Sequence, residues 1–237
     1  YNTAIGAQAL SANTTGQFNT AVGERSLLSN TTAGGNVAVG SLAMRLNVSG
    51  GANTAVGHYS LYTNSSGQYN TALGSNALYS NTTANNNTAV GYQAGYSNAT
   101  GVGLIAVGYQ AAYNTTGNHN TGVGYQALFQ NTTGGSNIAF GNFALNNNTT
   151  ASNNTAVGYQ AADANTTGTR LVAVGAAALG ANTTGNFNTA VGANSSLSLT
   201  TGSNNASLGD SSLANTTTGS SNTALGQGSL GSNTTAS

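Results

Sequence analysis

One glycine, preceded in every copy by an apolar residue, returns through the chain at Gly6, Gly23, Gly40, Gly57, Gly74, Gly91, Gly108, Gly124, Gly141, Gly158, Gly175, Gly192, Gly209 and Gly226. Every interval is 17 residues except the one from Gly108 to Gly124, which is 16. A fixed period decides the fold class before local propensity does, because each repeat must bury its apolar face against the next. The unit is poor helix material: a fixed glycine, β-branched residues and abundant asparagine. The period therefore predicts an all-β fold, a parallel β-solenoid (β-roll) of about fourteen 17-residue coils, with one repeat per coil. Residues 1–237 read as a single repetitive segment. Both ends fall inside a repeat, so the segment reads as part of a longer chain.

The columns of the repeat suggest how a coil is built. The position before the fixed glycine holds Ile5, Val22, Leu73, Phe140, Val157 or Leu225, and two residues earlier stand Thr3, Val37, Ile105, Ile138 or Val172. Side chains alternate along a strand, so these two positions share one face, which reads as core. The other face carries Ala4, Ala21, Ala38, Ala55, Ala72, Ala89, Ala106, Ala139, Ala156, Ala173 and Ala190, with Gly122 and Ser207 as exceptions, and then the fixed glycine. A face limited to alanine and glycine implies a close neighbour. The expectation is lateral self-association through this alanine column, as a homotrimer or fibre. A second short strand follows, with Ala or Ser three residues after the glycine and then commonly Leu, as at Leu10, Leu27, Leu61 and Leu128. The missing residue between Gly108 and Gly124 is expected in the turn "YNTTG", since a one-residue slip within a strand would invert its faces.

Two asparagine columns run through the repeat. One lies four residues before the glycine in twelve of fourteen copies, with Leu104 and Leu171 as exceptions, and suits a ladder of stacked amides. The other opens the turn "NTTG". It makes an Asn-x-Ser/Thr acceptor in thirteen of fourteen copies, at Asn13, Asn30, Asn47, Asn64, Asn81, Asn98, Asn114, Asn131, Asn148, Asn165, Asn182, Asn215 and Asn233. Where the middle residue drifts, in "NVSG", "NSSG" and "NATG", Ser49, Ser66 and Thr100 keep the hydroxyl. Two readings stand together: a polar turn built by Asn, Thr and Gly, and an exposed edge carrying covalent N-linked glycans.

Composition narrows the function. Only 3% of residues are charged, against about a quarter in ordinary domains, and net charge is zero. Nothing here draws the chain to nucleic acid or to anionic lipid. There is no cysteine, hence no disulfide or thiolate metal site, and no apolar run long enough to span a membrane in this segment. Glu24, Arg25, Arg45, Asp163, Arg170 and Asp210 are scattered, and His58 and His119 lie several coils apart. No coil unites a nucleophile, a base and an acid, so no enzyme activity, catalytic residue, metal or cofactor is expected.

"NTAVGYQAL", "NTAIGAQAL" and "NVAVGSLAM" resemble the repeats of the YadA-like head of trimeric autotransporter adhesins, and similar repeats of phage and virus-like tail fibres. The resemblance covers about nine residues of every copy; the "NTTG" residues are an addition to the family's shorter unit. It implies a left-handed parallel roll, trimerisation about an axis, and an extracellular or cell- or virion-surface location. The function expected is a structural fibre or adhesin shaft displaying a repetitive surface. The alternative is a β-solenoid that binds ice or carbohydrate. Tyr62, Tyr79, Tyr96, Tyr113 and Phe129 form one aromatic column, and Tyr92, Tyr109, Tyr125 and Tyr159 another. These cover a stack edge or offer ring faces to host or surface sugars. Ice binding is disfavoured at this level: Thr14 and Thr15 point different ways on a strand and a glycine follows them, so no flat Thr-x-Thr array is written, and Val37 and Ile138 in the strand's Thr column suggest that the column is buried.

Overall fold

A computed structural model describes residues 1–235. The described residues contain strands and turns and no helix. Contacts divide the chain into two units, residues 1–119 and 120–237. The first unit holds β1 (Thr3–Ile5), β2 (Thr20–Val22), β3 (Val37–Val39), β4 (Thr54–Val56), β5 (Thr71–Leu73), β6 (Thr88–Val90) and β7 (Ile105–Val107). The second holds β8 (Thr121–Val123), β9 (Ile138–Phe140), β10 (Thr155–Val157), β11 (Val172–Val174), β12 (Thr189–Val191), β13 (Ala206–Leu208) and β14 (Thr223–Leu225). Within each unit every strand pairs in parallel with the next, one repeat on, so Ala72 lies opposite Ala89 and Ala156 opposite Ala173. The protein is a parallel β-solenoid with one 17-residue repeat per coil.

Three residues of strand per coil leave fourteen to turn the chain. Three recurring non-glycine positions do this in the left-handed region. They are two and four residues after the fixed glycine, as in Arg25 (φ 53°) and Leu27 (φ 49°), and twelve after it, as in Asn86 (φ 60°). Each such residue costs about 1–2 kcal/mol. Each is held because its peptide N–H is turned along the stacking direction onto a neighbouring coil: Arg25 to the Ala7 carbonyl at 2.8 Å, Leu27 to Ala43 at 3.1 Å, Asn86 to Gln68 at 3.1 Å. Corners of the coil thus bond from coil to coil as the strands do. The fixed glycine has φ near +130°, and a Cβ on Gly40 would lie 2.6 Å from the Gly57 carbonyl oxygen. The close neighbour behind this glycine is the next coil of the same chain.

The shortened repeat departs from the others in its turn. Thr115 takes the place of the turn asparagine, its N–H donating to Ala112 (3.2 Å) as Asn30 donates to Leu27 (3.2 Å). The missing residue falls after it, in the turn. β8 then pairs with β9 in the ordinary register, Thr121 opposite Ile138.

The faces of the strand are the reverse of the sequence expectation. Ala21, Ala38, Ala55, Ala72, Ala89, Ala106, Ala139, Ala156, Ala173 and Ala190 are fully buried inside their own coils; only Ala4, on the first strand, is exposed. The Thr and Val columns that read as core point outward, with Ile105 44% and Phe140 55% exposed. The cause is cross-section. A 17-residue coil must admit side chains from six inward positions: Ala or Ser and then Leu after the glycine, the turn Asn, the small residue three later, the second Asn and the strand Ala. Space of that size takes methyl groups on the strand and leaves the bulk to Leu27, Leu61, Leu78, Leu128 and their column mates, which are fully buried. Alanine is demanded by the narrow interior, and the alanine column is not a self-association face.

Candidate functional site

The turn asparagines form a ladder inside the coil. Asn64 Nδ2 donates to Asn47 Oδ1 (2.8 Å) and to the Gly67 carbonyl (2.9 Å), and its own Oδ1 accepts from Asn81 Nδ2 (2.8 Å). The second unit repeats this: Asn165 Nδ2 donates to Asn148 Oδ1 (2.8 Å) and Gly168 O (3.0 Å). Asn30, Asn47, Asn64, Asn81, Asn98, Asn131, Asn148, Asn165 and Asn182 are buried. Both amide hydrogens are engaged in Asn30, Asn47, Asn64, Asn81, Asn148, Asn165 and Asn182, while Asn98 and Asn131 donate to the carbonyls of Gly101 and Gly134. An N-linked glycan needs that nitrogen at the surface with a proton to lose, so the expected row of exposed N-glycosylation sites is overturned. Asn13, Asn114 and Asn233 are half-buried, and Asn215 is the exposed member, its Nδ2 donating to the Gly231 carbonyl. Asn114 and Asn215 stand one place early, because Thr115 and Thr216 hold the buried position in those coils.

The other asparagine column is the ladder expected for it, with a particular pattern. Each Oδ1 accepts the backbone N–H of the residue one repeat on, as from Asn53 to Asn36 (3.0 Å) and from Asn70 to Asn53 (2.9 Å). Nδ2 commonly reaches the small residue of the next turn, as from Asn53 to Gly67 O (2.9 Å) and from Asn137 to Ala151 O (2.9 Å), while Asn87 Nδ2 donates to Asn81 Oδ1 (3.3 Å). That carbonyl therefore collects an amide from each ladder, which explains why both columns are asparagine. Leu104 and Leu171 interrupt this ladder where the core leucine is lost: Gly95 and Ala162 stand at the leucine position of the same two coils. A Cβ on Gly95 would lie 3.0 Å from Leu104 Cδ2, so Leu104 fills the vacated volume. Leu199 does the same from the turn column in the coil where Ser196 replaces leucine. There Ser207 has entered the alanine column, and its hydroxyl bonds Ser195 (2.7 Å) and Ser196 (2.8 Å). The paired exceptions were visible in the sequence and carried the signal that both asparagine columns face inward.

Two surfaces remain. The first is the outward strand face, two columns wide, with Thr20, Thr54, Thr71 and Thr88 beside Val22, Val56, Leu73 and Val90 in the first unit. In the second unit Thr155 and Thr189 stand beside Val157 and Val191, and a shallow apolar depression is lined by Val191, Leu208, Leu225 and their Thr and Ala neighbours. The second surface is the turn. Of the adjacent hydroxyls in "NTTG", the first bonds the next coil, as Thr31 Oγ1 to Val48 O (3.3 Å) and Thr149 Oγ1 to Thr166 O (3.0 Å). The second points out: Thr15, Thr32, Ser49, Ser66, Thr83 and Thr100 in the first unit, and Thr133, Thr150, Thr167, Thr184, Thr201 and Thr218 in the second, are all exposed.

The aromatic columns close upon themselves. Tyr62, Tyr79, Tyr96 and Tyr113 stack at 5.0–5.2 Å between ring centroids with interplanar angles of 3–11°. Tyr92 stacks on Tyr109 at 5.5 Å. Each ring face within such a stack is covered by the next ring, so these columns present edges, where a sugar platform needs open faces. Burial, and then the phenols of Tyr96, Tyr62 and Tyr59, push the Tyr79 pKa up. Arg45 caps the stack, Nη1 donating to the Tyr62 hydroxyl at 2.7 Å. Phe129 lies in the second unit, half-buried, while Tyr125 and Tyr159 flank Phe143 edge-on.

Glu24 and Arg25 form an exposed pair at 3.7 Å. Among the described residues no three His, Cys, Asp or Glu side chains come together, and no helix is long and apolar enough to cross a membrane. Comparison of the chain with family models, curated proteins and solved structures finds no match.

Proposed function

We propose that the protein is a non-catalytic structural element, the shaft of an extracellular fibre or adhesin, that associates with copies of itself through the outward Thr/Val strand face. The carrying observation is that face: apolar side chains repeat there in both units, and the strand residues on it carry no charge. A contiguous apolar strip on a chain otherwise coated in Asn, Thr, Ser and Gly is what a partner covers. A second copy of the same face is self-complementary in chemistry and in the spacing of its ranks, which a β-solenoid holds at ~4.8 Å. The resemblance to trimeric adhesin heads supports three copies. The test is a pair of variants. Val90→Glu places a charge on the face and dissociates the assembly, while Gln93→Glu, three residues on at the coil corner, leaves it intact. If Val90→Glu sediments as the parent does, the face is not the interface.

A second reading draws on the same face. Thr pointing outward beside Val at the repeat spacing removes one ground on which ice binding was disfavoured, because the Thr column is not buried. Thermal hysteresis by a monomeric chain, lost on Thr88→Glu, would favour ice over self-association.

A further inference from the structure

The two hydroxyls of the turn obey opposite rules. The first, beside the buried Asn, makes a hydrogen bond to the next coil wherever it is present, yet the position drifts to Val48 and Ala99. In every repeat but the shortened one, which has a single hydroxyl after Thr115, the second is Ser or Thr, including the copies where its neighbour drifts, and among the described residues it makes no hydrogen bond. Stability asks for retention of the bonded hydroxyl, worth about 1 kcal/mol, and is indifferent to an exposed, unbonded one. The repeats keep the one that stability ignores. Its use must therefore lie outside the chain.

We propose that this row, Thr15, Ser49, Ser66, Thr83 and Thr100 in the first unit and its counterpart in the second, is an acceptor edge for O-linked sugars, each attached as a monosaccharide or short glycan. Three observations favour covalent attachment over reversible binding. The hydroxyl stands exposed at the turn with a buried Gly or Ala after it, and the apolar depression lined by Val191, Leu208 and Leu225 does not include it. Ser and Thr interchange, as they do for an enzyme that needs only an oxygen nucleophile. An uncharged surface gains most from added hydration, and six charged residues in the whole chain supply little. The step requires an activated sugar, a sugar nucleotide or lipid-linked sugar phosphate, and a transferase of the producing cell. The Ser or Thr Oγ attacks the anomeric carbon, the C–O bond to the phosphate breaks, the hydroxyl proton passes to the transferase's base, and the phosphate leaves with the bonding pair. Acceptors recur at about the ~4.8 Å strand spacing, so sugars on neighbouring coils must splay, and occupancy is expected to alternate or to stop at small units.

The inference does not depend on self-association. The test is site mapping on the protein isolated from its own producing cell: intact mass, then electron-transfer fragmentation of peptides with and without alkaline β-elimination. The expected result is sugar on the second hydroxyl column, with Thr83 modified and Thr82 not. Expression of Thr83→Val in the same cell removes one site and leaves the coil folded. A bare polypeptide mass overturns the proposal, as does sugar confined to Asn residues or to the first hydroxyl column. Association unchanged after β-elimination leaves the assembly reading standing, whichever way the mapping falls.

Discussion

Replacing Asn64 by Ala removes one rung of the buried amide ladder, and its cost can be worked from the partners. Three hydrogen bonds disappear: two donated by Asn64, to Asn47 Oδ1 and Gly67 O, and one accepted from Asn81. The Gly67 carbonyl is not orphaned, because Asn53 Nδ2 still reaches it at 2.9 Å. Asn81 keeps its bond to Ala84 O at 3.2 Å but is left with one unpaired amide hydrogen. Asn47 Oδ1 loses its donor. Two buried groups are thus stranded at about 1–3 kcal/mol each, so the expected loss is about 2–6 kcal/mol. For a chain of this length that is a fall of roughly 10 °C in the unfolding midpoint. Urea and thermal melts followed by far-ultraviolet circular dichroism read it, with Thr83→Val, at an exposed unbonded site, as the control that moves by less than about 0.5 kcal/mol. Asn64→Asp costs more at neutral pH, since it turns acceptors toward two acceptors. A loss below about 1 kcal/mol for Asn64→Ala would refute the ladder's role and reopen the exposed-turn reading.

Gly40→Ala sets a Cβ 2.6 Å from the Gly57 carbonyl oxygen at φ +133°, and should cost more than about 3 kcal/mol in the same melts. Gly226→Ala, with nothing within 4 Å of the added carbon, should cost much less. Gly95→Leu and Leu104→Asn should each destabilise alone, one by crowding and one by a void, while the double variant restores the common repeat. A coupling of about 1–3 kcal/mol in a double-mutant cycle is expected, and additive losses would contradict the exchange of volume. Desolvation of half-buried Asp163 raises its pKa above the usual 3.8. A raised carboxyl pKa favours the native state below the unfolded value, and that contribution is lost as pH rises through the folded one. Asp163→Asn should therefore stabilise the protein at neutral pH, with the difference from wild type vanishing in acid.

The period, the strand at "TAVG" and the turn at "NTTG" were legible in the sequence because each follows from spacing and from residue types with fixed backbone preferences. The direction of the strand faces was not. Alternation defines two faces without saying which is inside, and the usual guide, that larger apolar residues go inward, fails when the interior is narrow. Ala89 was restricted by its own coil, and Val90 was left outside. The asparagines misled for a related reason: Asn64 sits in an acceptor motif typical of exposed turns, but its amide is spent on Asn47 and Gly67. What could have corrected both is the pairing of exceptions, Leu104 with Gly95, Leu171 with Ala162 and Leu199 with Ser196, since residues that exchange volume must share an interior.

The assembly face can be tested directly, because a chain without cysteine accepts a single one anywhere. Spin labels are placed at Val90→Cys, on the outward strand face, and at Thr83→Cys, on the turn edge, and dipolar coupling between chains is measured for each. Close, immobilised inter-chain pairs at position 90, and weak or absent coupling at position 83, are the predicted result. Mobile, uncoupled labels at position 90, in a protein that sediments as one 23.2 kDa chain, would contradict self-association through this face.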